Sequence, residues 1–159
     1  LWINKGLALQ ELNEHQEALD AFSKATTLSG NVHEAWNYKG YVFEEIGKHQ
    51  EALDAYDKAI QIKPDFVIAF NNKGLLQDTM GNHLEAIETY NKALTIKPDL
   101  DIAWFNKACA EALLSNKEGA LSSLKKAIEL NQSFKRIART NPDFSKIKDD
   151  PDFINVVGN

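Results

Sequence analysis

The sequence repeats itself at a spacing of 34 residues. The heptapeptide HQEALDA occupies residues 15–21 and recurs unchanged at residues 49–55, and a looser copy, HLEAIET, covers residues 83–89. The same spacing aligns one column of large aromatic side chains and one column of small residues, which are Trp2, Trp36, Phe70 and Trp104, and Gly6, Gly40, Gly74 and Ala108. A unit this short cannot bury its apolar residues alone, so successive units must stack and share a core.

Each unit has the pattern of two helices. Apolar residues recur every three or four positions, as in Ala52, Leu53, Tyr56, Ala59 and Ile60. A glycine interrupts the middle of a unit, and Pro64 or Pro98 ends it because proline disfavours a helical conformation in the residue before it; Gly30 stands at that position in the first unit. We predict helices at residues 1–12, 15–28, 33–46, 49–62, 67–80, 83–96, 101–114 and 117–130.

The small and aromatic columns have a mechanical explanation. Glycine or alanine at positions 6, 40, 74 and 108 lets the paired helix approach closely, and the aromatic column of Phe22, Tyr56 and Tyr90 fills the space beside it. We therefore expect each of these aromatic rings to pack against the small residue of its own unit.

These columns resemble the tetratricopeptide repeat family, whose unit of about 34 residues reads W-x2-L-G-x2-Y, then A-x3-F, then A, then P. The second unit matches this pattern at Trp36, Gly40, Phe43, Ala52, Tyr56, Ala59 and Pro64. The resemblance implies an all-α fold, a right-handed superhelical α-solenoid of antiparallel helix pairs, with units at 1–32, 33–66, 67–100 and 101–134. One departure is a column of lysines, Lys5, Lys39, Lys73 and Lys107, where the family often has leucine. Their aliphatic stems can lie along the packed face while the ammonium groups reach water.

The rhythm stops after Asn131, and residues 135–159 are predicted to form a cap. Asn141 before Pro142, and Asp150 before Pro151, each read as a helix cap followed by proline at the first helical position, so two short helices are expected. Their apolar residues, Phe144, Ile147, Phe153, Ile154 and Val157, are predicted to cover the last repeat at Leu121, Leu124 and Ile128.

Composition excludes several classes of function. Lys and Arg total 18 against 23 Asp and Glu, a net charge of −5 that disfavours nucleic-acid and anionic-membrane partners. Cys109 is the single cysteine, so no internal disulfide can form. No apolar run of about 18 residues and no leader segment is visible, and we expect a cytoplasmic protein. Because the chain begins at Leu1 and its only methionine is Met80, we expect it to be part of a longer protein.

The three repeated histidines, His15, His49 and His83, do not predict a metal site. Zinc donors lie about 2.0–2.3 Å from their ion, whereas stacked helices lie about 8–10 Å apart, so one ion cannot join equivalent positions of successive units. No glycine-rich phosphate loop, G-x-S-x-G or H-E-x-x-H motif is present. We predict no catalytic residue, no metal, no cofactor and no enzymatic activity.

The resemblance implies a concave groove, lined by the first helices of the units, that binds a peptide or helix of a protein partner. The candidate groove residues are Asn4, Asn37, Tyr38, Tyr41, Glu44, Glu45, Asn71, Asn72, Leu75, Asp78, Phe105, Asn106 and Cys109. The same face carries Ile3, Leu7, Gln10, Glu11, Glu34, Ile68, Thr79, Ile102, Ala112 and Leu113.

Two features of this face suggest a ligand. Asn4, Asn72 and Asn106 share one column, and their amides could hold a peptide main chain whatever its sequence. Glu11, Glu44, Glu45 and Asp78, beside the aromatic residues Tyr38, Tyr41 and Phe105, favour a ligand with basic and apolar character. The alternatives are a solvated acidic face, a module that self-associates through its N-terminal end, and an accessory domain of an enzyme whose catalytic part lies upstream.

We expect the protein to fold without metal. Its melting temperature should be the same with stoichiometric zinc and with an excess of chelator, as followed by circular dichroism. A marked rise with zinc together with a fall on chelation would contradict this prediction.

Overall fold

In the computed structural model, the described residues are 1–28 and 32–158, and they form ten α-helices, one 3₁₀ helix and no strand. Gly30 lies outside the described residues. The elements are α1 (Trp2–Glu11), α2 (His15–Leu28), α3 (Val32–Glu45), α4 (His49–Ile62), α5 (Val67–Thr79), α6 (His83–Ile96), α7 (Asp101–Leu113), α8 (Lys117–Leu130), α9 (Phe134–Thr140), the 3₁₀ helix Pro142–Phe144 and α10 (Pro151–Val157). The bounds of the first eight helices differ from the predicted ones by no more than one residue, so the all-α repeat fold is confirmed.

The chain forms two compact units, Leu1–Leu76 and Gln77–Asn159, which we call the N-terminal and C-terminal units. In the N-terminal unit α1 packs on α2, α2 on α3 and α3 on α4; in the C-terminal unit α6 packs on α7 and α7 on α8. The turns inside the helix pairs place one residue in the left-handed region, at Asn13, Gly47, Gly81 and Ser115. Glycine adopts this conformation without a Cβ penalty and asparagine tolerates it, which explains the mid-unit glycines.

The helix pairs are held together by an aromatic ring that lies directly on the backbone of the paired helix. A Cβ added to Gly6 would lie 2.5 Å from the ring of Phe22, and one added to Gly40 would lie 2.6 Å from the ring of Tyr56. Both aromatic side chains are fully buried. In these two repeats the small and aromatic columns therefore pack as predicted.

The lysine column is not simply solvated. Three of its ammonium groups lie over the tryptophan ring three positions earlier, at 5.4 Å for Lys5 on Trp2, 4.4 Å for Lys39 on Trp36 and 5.2 Å for Lys107 on Trp104. Lys73 follows a phenylalanine instead, and its Nζ pairs with Asp57 at 2.6 Å. Cation–π contact thus accounts for lysine where a tryptophan precedes it.

The C-terminal segment carries the predicted caps. The Asn141 side chain accepts a hydrogen bond from the backbone N–H of Asp143 at 2.8 Å, and the Asp150 side chain accepts one from Asp152 at 2.9 Å. Pro142 stands at the start of the 3₁₀ helix and Pro151 at the start of α10. The sequence did not predict α9. Its N-cap residue, Ser133, makes no side-chain capping hydrogen bond, and no proline follows it, so the motif that marked the other two helices is absent.

This segment covers more of the last repeat than predicted. Phe144, Ile147, Phe153 and Val157 join Leu124 and Ile128 in one apolar cluster, which also contains Phe105 and Cys109 of α7. Phe134 of α9 stacks on Phe105 with ring centroids 4.5 Å apart. The prediction for Ile154 was wrong, since 41% of it is exposed: it falls on the outer face of α10 when Phe153 and Val157 face the cluster.

We expect Phe144→Ala to lower the free energy of unfolding by about 3–5 kcal/mol, because the ring is fully buried against Phe105 and Phe153. Ile154→Ala, on the exposed face of the same segment, should cost less than about 1 kcal/mol. Urea unfolding of both variants measures the difference. Equal losses would show that the segment is not anchored through Phe144.

Candidate functional site

The N-terminal unit contains an open cleft of about 730 Å³. Its walls come from α1, α3, the start of α5 and the adjoining turns, at Leu7, Gln10, Glu11, Asn13, Glu34, Asn37, Tyr38, Tyr41, Glu45, Phe66, Ile68 and Asn72. Five of the candidate groove residues are therefore brought together here, namely Asn37, Tyr38, Tyr41, Glu45 and Asn72.

Aromatic and aliphatic side chains form the apolar part of the cleft. Tyr38 is held in place because its ring stacks on the buried Phe22, with centroids 5.4 Å apart and planes at 19°. Tyr41 and Ile68 are more open to solvent, with exposed fractions of 45% and 53%. A supported ring beside exposed apolar surface is an arrangement that can accept an apolar side chain of a ligand.

Acidic side chains form the charged part of the cleft. Glu11, Glu34 and Glu45 line it, and none of its described lining residues is basic. The Glu45 carboxylate accepts a hydrogen bond from Gln10 Nε2 at 3.1 Å and lies 3.7 Å from His15 Nδ1. These contacts join α3 to α1 and the start of α2 and hold the carboxylate at the cleft wall.

A pair of amides ties α3 to α5. Asn37 is buried, and its Oδ1 accepts a hydrogen bond from Asn72 Nδ2 at 3.1 Å. The sequence column had grouped Asn72 with Asn4 and Asn106 instead. Asn4 is exposed and lies outside the cleft lining, and Asn106 belongs to the C-terminal unit. The two asparagines that are hydrogen-bonded therefore occupy adjacent columns of the repeat alignment and not the same column.

Glu44 does not line the cleft, although it precedes Glu45. Its Oε2 accepts a hydrogen bond from the hydroxyl of Tyr56 at 2.9 Å, which turns it toward the interior of the helix pair. Burial raises the pKa of Glu44 and outweighs the opposing effect of that hydrogen bond. Asn71 and Leu75 of α5 also lie outside the lining.

The candidate residues of the C-terminal unit have other surroundings. Phe105 and Cys109 are buried in the cluster formed with the chain's own C-terminal segment, so this part of the predicted groove face is already covered. Asn141 Nδ2 lies 3.5 Å from the Cys109 sulfur, and burial raises the pKa of the thiol. Asp78 pairs with His83 of the following helix.

Two lining residues were missed by sequence reasoning. Asn13 and Phe66 belong to the turns before α2 and before α5, whereas the prediction considered only helical positions. Phe66 meets His33 edge to face, with centroids 4.8 Å apart. The sequence feature that could have indicated Phe66 is an aromatic residue directly after Pro64 and Asp65, in the turn before α5.

The described residues offer neither a metal site nor a membrane-spanning helix. They contain no group of three or more His, Cys, Asp or Glu side chains that could hold a metal ion. No described helix is long and apolar enough to span a bilayer.

Comparison with known families gives the assignment that the fold suggests. Tetratricopeptide repeat models match residues 1–32, 33–66, 67–100 and 102–134. The chain belongs to the tetratricopeptide repeat family. Repeats of this family serve as protein–protein interaction scaffolds and are generally not catalytic.

Solved structures show the same fold. A crystal structure of MamA has a TM-score of 0.75 at 27% identity, covering 85% of this chain and 79% of MamA. A tetratricopeptide repeat protein from Parabacteroides merdae ATCC 43184 has a TM-score of 0.80 at 18% identity, covering 98% of this chain and 62% of its own. MamA 41-end from Desulfovibrio magneticus RS-1 scores 0.73 at 17% identity, with 98% and 90% covered. A search of curated proteins found no significant match.

The raised pKa of Glu44 predicts a pH-dependent effect of Glu44→Gln. The folded state binds the Glu44 proton more tightly than the unfolded state does, so ionised Glu44 lowers stability as pH rises above the ordinary value of 4.5. Glutamine keeps an acceptor for Tyr56 without the charge. The melting temperature of the variant relative to the unaltered protein should therefore be higher at pH 7 than at pH 4. A difference that is independent of pH would contradict this.

Proposed function

We propose that the cleft of the N-terminal unit binds a short segment of a partner protein in which a lysine or arginine lies next to an apolar residue. The observation that carries this proposal is the combination of Glu11, Glu34 and Glu45 with the rings of Tyr38 and Tyr41 in one cleft.

The size of the cleft favours a few side chains over a folded domain. Ligand pockets commonly enclose about 300–1,000 Å³, and the volume here falls in that range. An apolar side chain seated against Tyr41 and Ile68 would remove exposed apolar surface from water, at about 25 cal/mol per Å² buried. This contact would supply most of the affinity.

The acidic side chains would supply selectivity and speed of association. Carboxylates that are partly open to water attract a basic segment over roughly 10 Å at ordinary salt concentrations, and this attraction weakens as salt is added. Because none of the described lining residues is basic, acidic segments would be repelled. The ligand class is therefore set by charge as well as by shape.

The amide pair would orient the ligand backbone. Asn72 is held by its hydrogen bond to Asn37, and its Oδ1 can accept a hydrogen bond from a main-chain N–H of the bound segment. Such a contact does not depend on the ligand sequence, so it adds affinity without adding selectivity.

The test is a selection of random heptapeptides on the purified protein, followed by affinity measurements on the selected peptides. We expect enrichment of Lys or Arg next to an aliphatic or aromatic residue. Tyr41→Ala should weaken binding on the order of tenfold or more for every selected peptide, because the apolar contact is common to them. Glu45→Gln should weaken basic peptides and flatten their salt dependence.

The matched control is Glu51→Gln, which removes an equal charge from an exposed position of α4 outside the cleft and should leave peptide binding unchanged. Binding that survives Tyr41→Ala would contradict the proposal. Failure to select any peptide, together with concentration-dependent association of the protein in sedimentation, would favour the self-association alternative.

A further inference from the structure

The C-terminal segment carries a basic stretch. Between Glu129 and Asp143 there is no acidic residue, and the basic residues there are Lys135, Arg136 and Arg139. The two arginines are the only ones in a chain whose net charge is −5. All three basic residues belong to α9, so a helix fixes their positions. Positive charge concentrated in this way attracts an acidic surface over roughly 10 Å at ordinary salt concentrations.

The helix α9 is held firmly against the C-terminal unit. Phe134 is buried and stacks on Phe105 with ring centroids 4.5 Å apart, and Ala138, one helical turn later, is also buried. Near the end of the helix, Arg139 Nη2 donates a hydrogen bond to the Val157 carbonyl at 2.7 Å. A helix fixed at both ends presents its outer side chains without the ordering cost that a disordered segment incurs on binding.

The outward side of α9 carries Arg136 and Ile137. Successive helical residues are about 100° apart, so Arg136 points away from the core when Phe134 and Ala138 face it. Arg136 is exposed, and 39% of Ile137 is exposed. The ion pairs among the described residues of the C-terminal unit use other cations, namely His83, Lys107, Lys117 and Lys126. Within that part of the chain, Arg136 therefore offers a charge that is not in an ion pair, next to an exposed apolar side chain.

These two side chains match the chemistry of the cleft in the N-terminal unit. Three glutamates line the cleft, and no basic residue of the described part of the chain does. Its exposed apolar surface comes from Tyr41 and Ile68. A guanidinium can donate two hydrogen bonds to one carboxylate, and Ile137 would cover apolar surface that is otherwise in water. The two surfaces are therefore complementary in charge and in apolar character.

Two other exposed pairs of an aliphatic residue and a lysine suit the cleft less well. They are Ile62-Lys63 and Ile96-Lys97, where α4 and α6 end. Each lysine is followed two positions later by an exposed aspartate, Asp65 or Asp99, which an acidic cleft would repel. Arg136 has no acidic residue within six positions on either side. Charge complementarity therefore favours α9.

We propose that α9 of one copy of the protein docks in the cleft of a second copy, with Arg136 at the glutamates and Ile137 against Tyr41 and Ile68. This inference rests on the proposed function, because it names an occupant for the same cleft. The two surfaces differ, so the contact is heterologous: a copy bound through its α9 still has a free cleft, and further copies can add. One side of a seven-residue helix makes a small interface, and small interfaces give weak association.

The experiment is sedimentation velocity of the unaltered protein and of two variants, Arg136→Glu and Tyr41→Ala. The sedimentation coefficient of the unaltered protein should rise between about 10 μM and 1 mM, and added salt should reduce the rise. Each variant should need a concentration on the order of tenfold higher to associate equally. Lys148→Glu is the matched control, since it makes the same charge change at another exposed position of the C-terminal segment and should associate like the unaltered protein. Unchanged melting temperatures show that the variants are folded.

Mixing the two variants tests the head-to-tail arrangement. The Tyr41→Ala copy keeps its α9 and the Arg136→Glu copy keeps its cleft, so one intact contact can form between them. The mixture should give one-to-one dimers and nothing larger, at a concentration where each variant alone is monomeric. A contact within one chain, or a contact between like surfaces of two copies, cannot restore association on mixing.

Peptide binding separates this inference from the proposed function. Below the concentration of association, the selected peptides should bind Arg136→Glu as tightly as the unaltered protein, and at higher protein concentration they should reverse the association by occupying the cleft. A monomer at all concentrations, in protein that binds the peptides, would overturn this inference alone. So would unchanged association of Arg136→Glu, or a mixture of the two variants that stays monomeric. Protein that binds no peptide, with association that persists in Tyr41→Ala, would contradict the proposed function as well.

Discussion

The contact between an aromatic ring and the bare backbone of its partner helix is the interaction on which the repeats depend. With a Cβ at Gly6 or Gly40 the ring of Phe22 or Tyr56 would have to move, because the added atom would lie 2.5 or 2.6 Å away. Protein interiors are packed too densely to absorb such a shift without loss of other contacts. This close approach makes the two helices of a repeat one rigid element, and positions on their outer faces become free to vary.

The repeats also differ at one position inside the helix pairs. In the N-terminal unit Leu9 and Phe43 pack against buried apolar residues, and the equivalent positions of the C-terminal unit are Gln77 and Glu111. Both of these are buried and satisfied, since Gln77 accepts from Thr89 and Glu111 accepts from Ser123, each at 2.7 Å. A polar residue in this column thus comes with a hydroxyl in the facing column. The change from Glu44 to Asp78 has no such compensation, which is why Tyr90 is left without a partner while Tyr56 is bonded.

The C-terminal segment covers the apolar face of the last repeat. It buries Phe105 and Cys109 together with Leu124 and Ile128, using rings from Phe134, Phe144 and Phe153. Covering this apolar surface stabilises the end of the array, since a terminal repeat has no following neighbour to pack against. The preceding repeat has Asn71 at the position equivalent to Phe105 and Leu75 at the position equivalent to Cys109. The Leu75 side chain is exposed. The last repeat has apolar residues at these two positions because they pack against the C-terminal segment.

The sequence by itself determined the repeats: the bounds of their eight helices to within one residue, the aromatic and small columns, and, after the repeats, the caps at Asn141 and Asp150 but not α9. These depend on contacts within a repeat or within a turn, and a strict 34-residue period reports such local relations directly. Tertiary structure alone decided which acids and amides meet. Asn37 reaches Asn72 across neighbouring columns, Glu44 turns inward to Tyr56 beside an outward Glu45, and Asn141 meets Cys109. The last of these lies in a segment with no repeat, whose position is set by long-range burial of Phe144 and Phe153, and no spacing in the sequence encodes that.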